Sequence, residues 1–417
     1  MRTIEVVSLS PGAGGAHRAS QVIRYRGFLG IECYSVVLDA SVRDETATYS
    51  YSMCPPIGYA QFALPVRRFA SIYRRWVSLI TPINTLLHHS DRFNIDVVVG
   101  HHETLECIKA TIKISDRLNS KKVLTLQLPL YYGNSTRKRR IEDAYRLYLD
   151  MIRSCGDNTS YLTRLAARRL DSTTEWLYVK TIQRLIDRFD LVISVSKAIE
   201  MDMGVTSKNI VTLRNGIGFE EAELNFLKKL RTEIRGSADT KKPCAIYSSR
   251  RDVSKGIIEA LVATRLIRRN IPNFKLIITG RSAGWYVDAI VSKLIERLDI
   301  KKNVWLAGFL PRTEVLKLRK SSRVLIYPSH VDAYPYTVAE TLTMGIPVVA
   351  YRIPALTINY GDIEGLFLVD EGDVEGLAQK VVEVLEKGQV DVGLPRIPTV
   401  RDVVTEEVAL LRRLVRE

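Results

Sequence analysis

Short runs of apolar residues, closed by glycine, proline or charge, alternate along this chain with longer stretches whose apolar positions recur every three or four residues. The short runs read as buried strands. They comprise Val6, Val7 and Leu9, then Val97 to Val99, then residues 191–196, 245–247, 275–279, 304–307, 324–327 and 348–350. Helical spacing follows several of them. One helix runs from the glycine-rich turn 11–17 through Ile23, and another starts at Ile257. A third covers residues 337–344, limited by Pro335 at its start and Gly345 at its end, and a last one covers 403–416. Strand and helix alternating in both halves predict an α/β protein of two doubly wound domains. They are placed at 1–219 and 244–398, with the polar stretch 220–243 as helix and linker and 399–417 as a C-terminal helix.

A chain of 417 residues, 46% hydrophobic and 26% charged, supplies a core for each of two domains. No apolar stretch of eighteen or more residues interrupts the pattern, which excludes a transmembrane helix. The start MRTIEVVSLSPG enters a strand and glycine turn directly, leaving no room for a signal peptide. Five widely spaced cysteines without a Cys-x-x-Cys pair point to a reducing cytoplasm and no structural zinc, and the six histidines build no metal site by spacing. The net charge of +15 is uneven, with 27 Lys and Arg against 18 Asp and Glu over residues 1–190. Within 66–80, Phe69, Ile72, Tyr73, Trp76 and Ile80 follow helical spacing, with Arg67, Arg68, Arg74 and Arg75 on the opposite face. Such a stripe suits a helix in an anionic membrane interface, and equally a surface helix packed on a sheet. The basic run 137–140 adds to the attraction for an anionic bilayer or is a solvated run.

Candidate chemistry gathers at two strand-to-helix turns. Asp332 and Glu340, with seven residues between them, flank the turn after the strand 324–327. In a parallel sheet the carboxyl ends of the strands are where ligands bind, and an acid there accepts hydrogen bonds from ribose or hexose hydroxyls. A loop acid and a helix-capping acid give the same pattern. Arg250 and Lys255 flank the turn between the strand 245–247 and the helix from Ile257. A turn feeding a helix N-terminus attracts anions through backbone amides and the helix dipole, and two cations strengthen it. Arg grips a diphosphate with a planar fork, and Lys adds a compact charge. His101 and His102 stand just beyond the strand of Val97 to Val99, where a histidine is commonly structural. The turn at Gly12, Gly14 and Gly15 permits close backbone approach to a ligand but lacks the dinucleotide-binding spacing.

Together these stretches resemble the GT-B nucleotide-sugar-dependent retaining glycosyltransferases, in particular family 4. That family carries an Arg, four residues and a Lys, matched by Arg250 to Lys255. It then carries two Glu with seven residues between them, the second in a helix followed by Gly-x-Pro-Val-Val, matched by Asp332, Glu340 and residues 345–349. The resemblance implies two Rossmann-like domains facing each other across a cleft, with the C-terminal helix crossing back to the first. It implies that Arg250 and Lys255 hold the donor diphosphate, that Glu340 receives the ribose hydroxyls and that the first acid touches the transferred sugar. Gly14, Gly15, Tyr336 and Thr337 would line the donor, and His101 would lie near sugar and acceptor. The chain departs from the pattern at Asp332, one methylene shorter than Glu, and at 333–336, which reads Ala-Tyr-Pro-Tyr where the family has Gly-Phe-Gly.

The resulting expectation is a cytoplasmic transferase, peripheral at the inner face of the membrane, moving a hexose with retention to a glycan or lipid-linked acceptor. It would use no metal and no cofactor beyond the nucleotide sugar, since no Asp-x-Asp motif is present to hold Mg²⁺ or Mn²⁺. One alternative is a glycosyltransferase acting on nucleic acid through the basic face of its first domain. Another is a non-catalytic binding subunit of the same fold.

Overall fold

The computed structural model describes residues 1–8, 14–39, 60–65, 94–133, 172–204, 209–235 and 243–417. Among them, thirteen strands form two all-parallel sheets, one in each of two units. The first unit comprises Met1–Tyr131, Trp176–Glu220 and Ile397–Glu417, and the second Tyr132–Glu175 and Glu221–Arg396.

The first sheet contains β1 (Arg2–Ser8), β2 (Glu32–Asp39), β3 (Ala60–Pro65), β4 (Val97–Gly100), β5 (Lys121–Leu126), β6 (Leu191–Ser194) and β7 (Ile210–Thr212), in the order β3-β2-β1-β4-β5-β6-β7. The second contains β8 (Cys244–Ser248), β9 (Lys275–Thr279), β10 (Val304–Gly308), β11 (Val324–Tyr327), β12 (Val348–Tyr351) and β13 (Leu366–Val369), in the order β10-β9-β8-β11-β12-β13. Among the described residues twelve α-helices accompany them: α1 (Gly14–Phe28), α2 (Leu105–Leu118), α3 (Ser172–Ile186), α4 (Lys197–Met203), α5 (Glu221–Arg235), α6 (Ile257–Asn270), α7 (Trp285–Arg297), α8 (Arg312–Ser321), α9 (Tyr336–Thr343), α10 (Pro354–Tyr360), α11 (Val374–Glu386) and α12 (Val400–Arg416).

The strand period of two sorts the first core into faces. Ile4 and Val6 of β1 pack with Val36, Val98 and the α2 residues Cys107, Ala110 and Ile114. Val7 points the other way, to Ala19, Val22 and Ile23 of α1 and to Val400, Val404 and Val408 of α12. The last helix is thus part of the first unit's core, with Val403 and Leu411 packed on Val97, Val99 and Val123. It opens on a capping box, the Thr399 hydroxyl receiving the Asp402 amide while the Asp402 carboxylate receives the Thr399 amide.

The second sheet is built from continuous apolar runs, as strands covered on both faces require. Val324, Leu325, Ile326 and Tyr327 of β11 are all buried, as are all four residues of β12. The helix after β11 runs from Tyr336 to Thr343, one residue earlier at each end than its apolar pattern suggests, because Pro335 serves as N-cap and Met344 as C-cap. Gly345 follows with φ +76°, the left-handed turn that glycine accommodates. Among the described residues no helix is long and apolar enough to cross a membrane. The Arg-flanked aromatic segment 66–80, with its candidate membrane contacts, and the basic run 137–140 lie outside the described residues.

Candidate functional site

In each sheet the chain reverses its direction of winding once. The second sheet turns at β8, which has β9 on one side and β11 on the other, and the first at β1, between β2 and β4. Connections leave the two adjoining strands toward opposite faces there, so the carboxyl ends open into a crevice. Residues 249–256 follow β8 and residues 328–335 follow β11, while α1 follows β1 and His101 follows β4.

Gly256 locks the first of these turns against the second. It has φ +72°, and a Cβ at this position would sit 1.9 Å from the Pro328 carbonyl oxygen. The His330 amide also donates to the Ser254 carbonyl at 3.0 Å. The two loops therefore form one layer. A short 3-10 turn, Val253–Lys255, precedes α6, and its amides are used locally. Ser254 N donates to Asp252 Oδ1, Lys255 N to Asp252 O and Gly256 N to Val253 O. Attraction for an anion at this turn thus draws chiefly on its side chains.

Lys255 and Asp332 meet across that layer. Lys255 Nζ lies 2.8 Å from Asp332 Oδ2 and 2.5 Å from the Val331 carbonyl oxygen, and the pair is mostly buried. The Tyr327 hydroxyl donates to the same carboxylate oxygen, and the Ala333 amide donates to Oδ1 at 2.9 Å. Burial, reinforced by the Asp332 charge, raises the Tyr327 pKa well above its ordinary value, which keeps that hydroxyl a donor. Arg250 sits on the same turn with its side chain about half exposed, 3.3 Å from Asp252. Tyr247, buried beneath, places its hydroxyl 2.9 Å from the Arg250 carbonyl oxygen and 3.1 Å from that of Lys255.

Glu340 belongs to a separate cluster. Its Oε1 receives Arg312 Nε at 2.8 Å, and its Oε2 receives the fully buried Arg319 Nη1 at 2.6 Å. Burial pushes the Glu340 carboxyl up, but Arg319 and Arg312 outweigh it and hold its pKa below the ordinary value. Arg319 also reaches Ser248 Oγ at 3.1 Å, and Thr337 Oγ1 donates to the Ser248 carbonyl at 3.1 Å, so Thr337, Glu340 and the end of β8 share one network. Arg312 Nη2 also lies 2.8 Å from Oε1, so Oε2 is the oxygen that keeps a second lone-pair direction, which a ligand hydroxyl can fill. The charge pattern did not single out Arg312 and Arg319. Their spacing of seven on α8, which puts both on one helix face, was the available signal.

His330 anchors the acid-bearing loop from below. Its Nε2 lies 2.7 Å from Glu259 Oε1 and its Nδ1 3.0 Å from Glu371 Oε1, with all three side chains buried. Burial opposes a charge on the ring, yet hydrogen bonds to Glu259 and Glu371 raise its pKa to about 9.

In the first unit His101 continues β4, its amide donating to the Val6 carbonyl at 2.9 Å. Its Nε2 lies 2.6 Å from Glu5 Oε2, and its carbonyl receives Gln127 Nε2 at 2.5 Å. Gly14 and Gly15 are the first residues of α1, at the carboxyl end of β1. The second unit therefore brings together cations, paired acids and hydroxyl acceptors, the groups that a phosphorylated, hydroxyl-rich ligand calls for. In the first unit His101 is buried against Glu5.

Residues 231–393 match the family model described as glycosyl transferases group 1. A stretch of 177 residues is 29% identical to the trehalose synthase of Pyrococcus horikoshii, covering 41% of this chain and 42% of the relative, so the chain spans under half the length of the curated relative it matches. In three dimensions 99% of the chain superposes on 98% of the sucrose-phosphate synthase of Thermosynechococcus elongatus, with TM-score 0.66 and 13% identity. All of it superposes on 98% of Anabaena HepE, solved with UDP-glucose, with TM-score 0.63 and 15% identity. The fold is GT-B, with two Rossmann-like units.

Proposed function

We propose that the protein is a retaining, metal-independent glycosyltransferase of the family 4 type, moving a hexose from a nucleotide diphosphate sugar to a glycan or lipid-linked acceptor. The observation that carries this reading is the Lys255–Asp332 contact at 2.8 Å, with Arg250 beside it, at the mouth of β8 and β11. A diphosphate placed there meets two cations, and its sugar meets a carboxylate. Glu340, oriented by Arg312 and Arg319, takes the ribose hydroxyls. Tyr336 and Thr337 line the donor from the start of α9, and Gly14, Gly15 and His101 serve the sugar and acceptor.

In the proposed reaction the bond between the anomeric carbon and the β-phosphate oxygen breaks while the acceptor oxygen bonds that carbon on the same face. The acceptor proton passes to the leaving phosphate oxygen, and Arg250 and Lys255 stabilise the developing charge electrostatically. Similarity to a trehalose synthase and a sucrose-phosphate synthase favours a sugar acceptor, and UDP-glucose in the HepE structure makes it the first donor to try.

A thermal-shift screen against UDP-, GDP- and ADP-sugars in EDTA tests the reading, because a ligand that binds only the native state raises its apparent stability. A shift with one nucleotide sugar, lost in Arg250→Ala, is expected. Transfer should vanish in Lys255→Ala. No shift with any donor would remove the enzyme reading and leave the non-catalytic one.

A further inference from the structure

Beneath the mouth of β1 and β4 a charged cluster is sealed in the first unit. Arg26 Nη1 donates to both oxygens of Glu5 at 2.7 Å, and Arg26 Nη2 donates to Glu407 Oε2 at 2.9 Å. Arg18 Nη2 donates to Glu407 Oε1, and Thr3 Oγ1 to Glu5 Oε1 at 2.6 Å. Glu5, Arg26, His101 and Glu407 are fully buried and Arg18 nearly so. Burial pushes the Glu5 carboxyl up, but the Arg26 charge, then the hydrogen bond from His101, hold its pKa well below the ordinary value. Burial likewise acts against Glu407, and Arg18 and Arg26 hold its pKa below the ordinary value. Two carboxylates and two guanidiniums therefore balance each other. A neutral imidazole at His101 keeps that balance.

A neutral imidazole has one N–H, and an ionised carboxylate only accepts. The nitrogen facing Glu5 is Nε2, so Nε2 carries the hydrogen and Nδ1 keeps a lone pair. Nδ1 is buried and has no hydrogen-bond partner among the described residues, and the same holds for Nε2 of His102. Burial, with the Arg18 charge beside it, lowers the His102 pKa, so His102 adds no charge either. An acceptor buried without a donor is costly unless a ligand supplies one.

We propose that Glu5 is a positioning residue: it fixes His101 in the Nε2–H tautomer and so presents Nδ1 as a hydrogen-bond acceptor to a hydroxyl-bearing ligand at the mouth of β1 and β4. The identity of that hydroxyl, on sugar or acceptor, rests on the glycosyltransferase reading. The tautomer does not. Glu5 in turn is held by Arg26, which ties it to Glu407 of α12.

The test is ¹⁵N NMR of the full chain labelled at histidine, at pH 7.5, with the His101 signals identified by their loss in His101→Asn. The expected spectrum has a protonated Nε2 and a lone-pair Nδ1. A protonated Nδ1, in either the other tautomer or the imidazolium, overturns the proposal. In Glu5→Gln the Arg26 and Thr3 donors claim the amide oxygen and turn its NH₂ toward His101, so the tautomer should switch to Nδ1–H. An unchanged tautomer in a folded Glu5→Gln protein would also overturn it, and if that variant does not fold, the wild-type spectrum still decides. The wild-type tautomer found as expected alongside no transfer from any nucleotide sugar would refute the proposed reaction and leave the Glu5 role standing.

Discussion

His330 ties the stability of the second unit to pH in a direction opposite to that of most buried histidines. Its folded pKa of about 9 lies above the ordinary 6.5, because hydrogen bonds to Glu259 and Glu371 outweigh burial. The groups facing the ring are those two carboxylates, from α6 and from the loop after β13, and the ring of Tyr351 on β12 at 5.4 Å. Because the folded value is the higher one, the contribution is fully present below pH 6.5 and is lost as pH rises through about 9. A separation of that size corresponds to about 3 kcal/mol at 1.36 kcal/mol per pH unit. Urea denaturation of the wild type and of His330→Gln, followed by circular dichroism at half-unit steps from pH 6 to 10, isolates the effect, since other titrating groups largely cancel between the proteins. The gap between the two should be widest near pH 6 and shrink by about 3 kcal/mol toward pH 10. A gap independent of pH would mean that the ring carries no extra proton in the folded chain.

Removing Arg319 should be far more damaging than removing Arg312, although both hold Glu340. Arg319→Met strips a buried carboxylate of its buried partner, at a cost of about 3–5 kcal/mol. Arg312→Met, at a partly exposed side chain, should cost about 1 kcal/mol or less. Thermal denaturation orders the two, and the reverse order would refute the pairing. Gly256→Ala should exceed the roughly 1–2 kcal/mol of a left-handed backbone, because its Cβ meets the Pro328 carbonyl. Gly308→Ala, at φ +73° in open space, should cost only that much, and equal melting temperatures for the two variants would contradict the contact. Asp332→Asn removes the charge that neutralises Lys255, so calorimetry should find UDP bound several-fold more tightly while transfer falls; weaker UDP binding would mean that Lys255 does not face the diphosphate.

The strands were legible where burial on both faces demands an unbroken apolar run, as at Lys275–Thr279 and Val324–Tyr327, which match residue for residue. They were not where the run is short or only half covered, nor in β2 and β5, where the buried Ser35 and Thr125 break the apolar run. β7 has three residues and β13 four, all partly exposed, and neither shows as a buried stretch. In the candidate site, Arg250, Lys255, Asp332 and Glu340 stand out because each lies beside a recognisable strand or helix boundary. Their supports do not. Arg26 and Glu407 are 381 residues apart, and His330 and Glu259 are 71 apart, so no local spacing links them. An isolated Glu on a strand such as Glu5 looks like an error in an apolar pattern until its counter-charge is located in three dimensions.

The placement of α12 carries a consequence for biosynthesis. The core of the first unit closes only when Val403, Val404 and Leu411 pack on α1 and the first sheet, and its buried charges balance only once Glu407 arrives. Domains commonly fold in the order in which they are translated. Here the earliest-made unit must wait, its cations Arg18 and Arg26 lacking Glu407, until residue 411 has left the ribosome. The segment Glu221–Arg396, synthesised later, has most of its partners sooner. Pulse-labelled nascent chains should therefore acquire protease resistance in the second unit before the first, inverting the order of the sequence.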